Sequence, residues 1–337
     1  MLTITPASYS VGTTVIENNS YLAANYSKFA VSDAAWGISS SGVLAQYVTS
    51  SNIAASLSSL SANLKSSPHN LVVYATSKAD FETINTALRA NSDKYVSITL
   101  VCPGLTELPE LKNDNGTGAF YKCTTIVEVT LPEGFTTIGR CAFNGCENLS
   151  TLNLPSTLKS TTYRDINGCS SLTSLTLPEG LESIGSQSLA HSGITSITIP
   201  ENVYFVDYDA FCQTNPTLQS IIVVSENQYY KDIDGVLYNK SGTLLSCCPA
   251  AKTGELVIQD EVTKIGSYSC YCGKITSLTI PSSVTQIGSN AFRYCSSLQT
   301  ITFKGTKAEW SAITKGSDWR SSTAATKVTC SDGEVDF

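Results

Sequence analysis

Apolar residues recur along most of the chain with a period of 22–23 residues. Each unit carries three apolar positions with the spacing L-x-x-L-x-L. Because a strand points alternate side chains to opposite faces, the last two of these positions share one face. A unit this short cannot bury its apolar face alone, so the pattern predicts stacked units that cover one another. The triplets are Ile126/Val129/Leu131, Leu149/Leu152/Leu154, Leu172/Leu175/Leu177, Ile194/Ile197/Ile199, Leu218/Ile221/Val223, Ile275/Leu278/Ile280 and Leu298/Ile301/Phe303.

Three further positions keep the same period. A proline ends most triplets because it cannot continue a sheet ladder. A second apolar pair follows, and a glycine such as Gly288 then marks a tight turn. A row of large apolar residues completes the unit, and we interpret all of these positions as scaffold. This row contains Phe120, Phe143, Ile166, Leu189, Phe211, Cys270 and Phe292.

These units resemble the BspA-like, or Treponema pallidum-type, leucine-rich repeat family. The resemblance rests on segments such as Leu177-Pro-Glu-Gly-Leu-Glu-Ser-Ile-Gly185 and Ala291-Phe-Arg-Tyr-Cys295, and it covers residues 117–303. Three places depart from the pattern: Thr161-Thr162 replace Ile-Gly, Leu189 replaces Phe, and Ser192 replaces Cys. These departures loosen the packing expected there and leave the register intact.

The expected fold class is β-rich α/β, a right-handed leucine-rich-repeat solenoid of about seven 22–23-residue units with a cap at each end. Residues 1–50 form a lead-in segment, and residues 51–116 an N-terminal α/β cap. The repeats occupy residues 117–303 and are interrupted at 224–256 by a predicted β-hairpin. Residues 304–337 form the C-terminal cap.

The cap prediction depends on apolar spacing. Ile53, Leu57, Leu60 and Leu64 share one face of a predicted helix, and Ser77 is the expected N-cap of the next helix. Strands are expected before and after that second helix. Together these elements would shield the first repeat from water.

Charge excludes several kinds of partner. The net charge is −7, the pI is about 4.9, and only 15% of residues are charged. Without a basic patch, nucleic acid and anionic membrane surfaces are not expected partners. No apolar run is long enough for membrane insertion, and no signal peptide is visible. We expect an extracellular or cell-surface protein whose signal peptide has been removed from a longer precursor.

The placement of the twelve cysteines argues against a metal site, because several of them hold one repeat position. Cys123, Cys146 and Cys169 are 23 residues apart, and Cys295 has the same repeat position. We interpret them as buried thiols, with disulfides between neighbouring units as the alternative. No metal, cofactor or catalytic residue is predicted, because the two histidines, His69 and His191, belong to no nucleophile–base spacing. The chain is therefore not expected to be an enzyme.

Two groups of residues are candidates for binding. The first is a row of small polar side chains on the outer face of the repeat strands, and a solvated β-surface is the alternative. The second is a group of tyrosines near the insertion, and packing of the hairpin onto the solenoid is the alternative. The candidates are Thr130, Asn153, Thr176, Thr198 and Thr279 in the first group, and Tyr204, Tyr208, Tyr229, Tyr230 and Tyr238 in the second.

The family resemblance implies a function that composition and spacing alone do not indicate. BspA-like proteins are often secreted or surface-exposed and act in adhesion. We therefore expect a monomeric, non-enzymatic binding protein that recognises a host or microbial surface protein, extracellular matrix or a glycan. The alternative is a structural spacer that displays another domain of a longer precursor.

Overall fold

The computed structural model describes residues 43–111, 117–211 and 217–337, with short stretches of backbone at 2–3, 9–11, 14–16 and 36–38. Side chains are described from Val48 onward. The contacts divide the chain into two compact units. Unit 1 comprises residues 1–158 and 169–172, and unit 2 comprises residues 159–168 and 173–337.

Unit 1 is built around one seven-stranded sheet, in the order β1-β5-β6-β7-β10-β11 with β4 beside β5. From β5 to β11 all neighbours are parallel, and β1 and β4 are antiparallel to β5. Unit 1 also contains two small antiparallel strand pairs, β2-β3 and β8-β9. The elements are β1 Leu2–Thr3, β2 Tyr9–Val11, β3 Thr14–Ile16, β4 Trp36–Ile38, β5 Val43–Val48, α1 Ile53–Ser58, β6 His69–Tyr74, α2 Lys78–Ala90, β7 Val96–Val101, β8 Glu110–Leu111, β9 Thr117–Gly118, β10 Ile126–Thr130 and β11 Thr151–Asn153.

The α/β segment at the start of unit 1 joins the repeats through both backbone and aromatic contacts. Strand β7 pairs in parallel with β10, which is the first repeat strand. Helix α2 begins at a capping box between Ser77 and Asp80. Its Phe81 meets Phe120 edge to face at 5.7 Å, and Phe120 stacks on Phe143 at 5.6 Å. The apolar row of the repeats therefore begins on a helix of this segment.

Helix α1 is shorter than predicted. It ends at Ser58, so the expected stripe through Leu60 and Leu64 is wrong, and Leu64 is 71% exposed. Serine has a weak helix propensity because its hydroxyl competes for backbone groups. Here the Ser58 and Ser59 hydroxyls donate to the carbonyls of Ala55 and Ser56.

Unit 2 contains two larger sheets and two strand pairs. One sheet has the order β16-β17-β18-β20-β22-β24 and the other β19-β21-β23-β25-β26, while β12 pairs with β14 and β13 with β15. The elements are β12 Ser183–Ile184, β13 Ser196–Ile199, β14 Phe205–Val206, β15 Ser220–Val223, β16 Tyr230–Ile233, β17 Val236–Asn239, β18 Leu244–Cys247, β19 Thr253–Val257, β20 Lys264–Ile265, β21 Lys274–Ile280, β22 Gln286–Ile287, β23 Thr300–Phe303, α3 Lys307–Ala312, β24 Thr314–Lys315, β25 Lys327–Cys330 and β26 Gly333–Asp336.

The fold prediction is confirmed, because the chain is a β-rich solenoid with little helix. Almost all of the predicted triplet residues are buried. Main-chain hydrogen bonds join successive turns, as from Gly288 N–H to Ile265 O at 2.8 Å. The solenoid has about 11 turns rather than about seven. Parallel strands outside the seven predicted units extend the stack: β6 and β7 before the first unit, β19 at the end of the predicted insertion, and β25 after the last unit.

The turn after the second apolar pair uses left-handed backbone at two places. In one turn these are Asn290 at φ 57° and Tyr294 at φ 61°, and in another Tyr268 and Cys272. Residues other than glycine seldom adopt this conformation, which costs about 1–2 kcal/mol. Main-chain hydrogen bonds to the next turn hold both places, as from Tyr294 N–H to Ser321 O at 2.9 Å.

The cysteines that share one repeat position form a row of thiols, which we call the cysteine row. Members of this row donate hydrogen bonds to neighbouring turns. The Cys146 thiol donates to Phe120 O at 3.0 Å, and the Cys295 thiol to Cys270 O at 2.9 Å. Eleven cysteines lie in the described part of the chain, all as thiols, and ten of them are buried. Burial raises the pKa of the Cys295 thiol to about 12.

Alkylation by iodoacetamide is therefore expected to modify Cys272 first among the described cysteines. Cys272 is half-buried, whereas Cys146 and Cys295 are buried and their raised pKa values keep them as unreactive thiols. Peptide mass spectrometry with and without guanidinium measures this order. Labelling of native Cys146 as fast as Cys272 would contradict the buried row.

The insertion is a three-stranded meander rather than a single hairpin. Strands β16, β17 and β18 are antiparallel neighbours, and β18 then pairs in parallel with the repeat strand β20. The buried Asn227 anchors its start: its amide donates to Pro200 O at 2.8 Å and Val203 O at 3.0 Å. Its carbonyl accepts from the Tyr229 and Tyr230 N–H groups, so all of its strong polar groups are used.

Aromatic residues fill the C-terminal end of unit 2. Trp310 lies on helix α3 and contacts Phe303 at 5.4 Å and Trp319 at 5.9 Å. Trp319 also meets Phe292, the last aromatic of the apolar row. Strands β25 and β26 form a closing antiparallel hairpin beside β23. These contacts cover the apolar row at its last turn.

Candidate binding surfaces

Some polar side chains on the outer face of the strands form hydrogen bonds with side chains of the neighbouring strand. In unit 1, Thr130 lies opposite Asn153, whose amide donates to the Thr130 hydroxyl at 3.1 Å. In unit 2, the Thr279 hydroxyl donates to Glu255 at 3.0 Å. Thr176 and Thr198 are exposed. Cross-strand bonds of this kind are typical of a solvated sheet surface.

The insertion interrupts the row of polar side chains on the outer strand face in unit 2. Strand β15 pairs with β13 on one side, and its Ile221 N–H donates to Gly235 O of the insertion at 2.9 Å. The Val223 N–H donates to the Asp232 carboxylate at 2.8 Å. Thr198 of the β13-β15 pair and Thr279 of the five-stranded sheet consequently stand in different sheets. The predicted strand residues do not form one continuous platform within this unit.

A row of four tyrosines follows the turns of unit 2. The ring centroids of Tyr208 and Tyr268 are 5.7 Å apart, and the steps to Tyr271 and then Tyr294 are 5.4 Å each. The two end rings are the most open, with Tyr208 58% and Tyr294 43% exposed. The Arg293 guanidinium lies 4.9 Å from the Tyr294 ring centroid. We call these four residues the tyrosine row.

Two further tyrosines line a separate groove in unit 2. The rings of Tyr204 and Tyr229 meet at 6.0 Å with 60° between their planes, and each residue is 53% exposed. The groove has a volume of about 380 Å³. We call it the tyrosine groove. Its other lining residues are Lys159, Glu182, Glu201, Asn202 and Gln228.

Two of the predicted tyrosines do not belong to either surface. Tyr238 is only 1% exposed and lies in the apolar core, so its prediction as a binding residue is wrong. Leu237, which points to the opposite face of β17, is buried as well, so both faces of this strand are covered. Tyr230 is half-buried, and its hydroxyl accepts a hydrogen bond from the Val206 N–H at 3.0 Å. The packing alternative therefore holds for these two residues.

The two tyrosines of the groove were predicted, but its other lining residues were missed, although the repeat contains the signal for two of them. Lys159 and Glu182 occupy the same place in successive units as Tyr204, one residue after the first member of the second apolar pair. Equivalent places stack in a solenoid. Lys159 and Glu182 are joined by an ion pair of 3.0 Å.

One buried carboxyl group departs from the repeat pattern. Asp165 is fully buried at a place that alanine holds in other turns, as at Ala142 and Ala291. Its oxygens accept from the Thr162 N–H at 2.6 Å and from the Ser188 hydroxyl at 2.7 Å. Burial raises the pKa of the Asp165 carboxyl to about 7. This group lies in the unit where Thr161-Thr162 replace Ile-Gly.

The described residues contain no group of three or more side chains suited to hold a metal ion. Of the two histidines, His69 bonds to Ser61 O at 2.9 Å, and burial lowers the pKa of His191. Across the same part of the chain, no helix has both the length and the apolar character needed to cross a membrane.

Parallel strands stacked on short turns, with a buried apolar row, define a leucine-rich-repeat solenoid. Within this class the chain belongs to the BspA type leucine rich repeat family. The family model matches six copies over residues 107–229 and 247–315, which is more than half of the chain. A comparison with curated proteins finds no match.

Solved structures of bacterial repeat proteins are similar to this chain. A leucine-rich repeat protein from Eubacterium ventriosum has a TM-score of 0.57 at 22% identity, with 78% of this chain and 72% of that chain covered. The pneumococcal vaccine antigen PcpA has a TM-score of 0.48 at 19% identity, over 71% and 69%. A leucine rich cell surface protein from Faecalibacterium prausnitzii has 0.39 at 19%, over 73% and 86%. The first of these likenesses supports the fold.

Proposed function

We propose that this chain is a non-enzymatic recognition protein, secreted or held at the cell surface, that binds a protein partner through the tyrosine row. The observation that carries the proposal is the row itself, four rings in contact with both ends open to solvent. Tyrosine is enriched in interfaces because it offers a large amphipathic contact at low entropic cost. Membership of the BspA type family supports the surface location.

The charge on this surface indicates which kind of contact a partner would make with it. Arg293 lies over Tyr294 and pairs with Asp318 at 3.4 Å, so its charge is balanced locally. Aromatic contact rather than ionic steering should therefore dominate, and binding should depend weakly on salt. A host or microbial surface protein, or a protein of the extracellular matrix, is the proposed partner.

Surface plasmon resonance against purified matrix proteins and bacterial surface proteins tests this proposal. Replacing Tyr208 and Tyr294 by serine is expected to weaken binding of the retained partner at least tenfold, because exposed aromatic residues carry much of the energy of such interfaces. Tyr121→Ser provides a control, since it removes a tyrosine from a repeat turn of unit 1 that lies outside the tyrosine row. Full binding by the double variant would refute the proposal, as would the absence of any protein partner.

A further inference from the structure

We infer that the tyrosine groove is a binding site for a neutral carbohydrate, separate from the surface proposed for protein recognition. The groove is built by two backbone segments, one carrying Tyr204 and the other Tyr229. The buried Asn227 holds both: it bonds to the carbonyls of Pro200 and Val203, and to the Tyr229 N–H. The two backbone segments are therefore held together before any ligand arrives, and their rings lie in contact at 6.0 Å.

The rings suit the apolar face of a sugar. Tyr204 and Tyr229 are about half exposed, and they stand at 60° to each other, so the pair forms an angled aromatic wall. The C–H bonds on one face of a pyranose ring pack against such a surface. A volume of about 380 Å³ lies at the small end of ligand sites, which suits one or two sugar rings.

The polar lining supplies what sugar hydroxyls need. Glu201 has no hydrogen-bond or ion-pair partner within the described residues. The Asn202 amide nitrogen donates to Glu179 O at 2.8 Å, and the Gln228 amide nitrogen to Glu226 O at 2.5 Å, which leaves both side-chain carbonyls to accept. Hydroxyl groups both donate and accept, so a carbohydrate matches this mixture of groups.

The charge of the groove selects among carbohydrates. Lys159 is paired with Glu182 at 3.0 Å, so Glu201 leaves one net negative charge. A sialic acid or uronic acid would bring a carboxylate beside Glu201 and be repelled. Neutral hexoses and N-acetylhexosamines bring no such charge. A basic peptide would also be attracted to Glu201, and this competing ligand is tested directly below.

Titration calorimetry and saturation-transfer NMR with the full chain test the inference. The probes are lactose, N-acetyllactosamine, cellobiose, mannobiose and sialyllactose, together with a tetra-arginine peptide. At least one neutral disaccharide is expected to bind with a Kd of about 1 mM. Sialyllactose should bind at least fivefold more weakly than lactose if lactose is the sugar that binds. Tyr204→Ala and Tyr229→Ala should each raise the Kd at least tenfold.

Two controls separate this site from the tyrosine row and from misfolding. Tyr294→Ala should leave sugar binding within twofold and reduce only protein binding. Tyr204→Phe keeps the ring and should retain the sugar, and matched melting temperatures establish that each variant is folded. No binding of any neutral probe up to 20 mM, or binding that ignores both tyrosines, would overturn the inference. Binding of the peptide alone, lost in Glu201→Gln, would also overturn it in favour of a peptide site.

Discussion

An Asp165→Asn variant is expected to be more stable than the parent chain at pH 8 and nearly equal to it at pH 4. Burial raises the pKa of the Asp165 carboxyl from 3.8 to about 7 in the folded chain. The folded state therefore binds more protons than the unfolded state between these two values. The stability contributed by this group falls as the pH rises from about 4 to 7, and it is constant above that range.

The size of this effect follows from the pKa difference. A shift of about three units corresponds to about 4 kcal/mol, as an upper figure for one buried group. Asparagine has the same shape and is neutral at every pH. Its carbonyl can accept from the Thr162 N–H, and its amide nitrogen can donate to the Ser188 oxygen, so the asparagine oxygen and nitrogen each keep a hydrogen bond.

Thermal melts of the parent chain and the variant between pH 4 and 8 measure the difference. Asp80 provides a control of opposite sign, because its hydrogen bonds, first of all from Ser50, lower the pKa of this carboxyl to about 2. Its stabilisation is present above pH 4 and is lost as the pH falls toward 2. Asp80→Asn should therefore lower the melting temperature at pH 7. An Asp165→Asn variant that melts below the parent at pH 8 would refute a buried, protonated Asp165.

A Gly288→Ala variant is expected to lose more than ~3 kcal/mol of stability and to unfold the turns around it. A methyl group on Gly288 would lie 2.3 Å from Ser267 N and 2.6 Å from the Gly266 carbonyl carbon. Both atoms are backbone of the preceding turn and cannot rotate away. The glycine is required by the close approach of two main chains.

Gly254→Ala is the matched control for this prediction. Gly254 has φ +80°, and nothing lies within 4 Å of an added methyl group. Its substitution should cost only the left-handed strain, about 1–2 kcal/mol. Urea unfolding followed by circular dichroism compares the two variants. Equal losses in both would show that conformation rather than crowding explains the repeat glycines.

The repeat could be predicted from the sequence because the burial that stabilises the stacked turns also sets the spacing of the apolar residues. Leu278 and Ile280 recur in step with Ile301 and Phe303, and burial in stacked turns requires that spacing. The left-handed backbone of Asn290 and Tyr294 could not be predicted, because neither residue is glycine. The hydrogen bonds between turns impose this conformation, and they depend on the whole stack.

The candidate site was predictable only in part. Tyr204, Tyr208 and Tyr229 were chosen because they lie near the insertion, and all three are exposed. The same reasoning failed for Tyr238, because both faces of its strand are covered in the fold, and closeness to the insertion in the sequence does not show this. The division of the tyrosines into a row and a groove depends on side-chain contacts between residues more than 20 positions apart.

Because the thiols are buried only after folding, the rate of folding decides how many of them are oxidised first. Once adjacent turns have stacked, groups such as Cys146 and Cys295 are shielded from oxidants, but in the unfolded chain every one of them can react. Correct folding in an oxidising medium is then a kinetic competition between stacking and disulfide formation. Contacts between neighbouring turns are local in sequence, which favours rapid stacking. Refolding should accordingly give a higher yield with a reductant present, and a slow-folding variant should be lost first to mispaired disulfides.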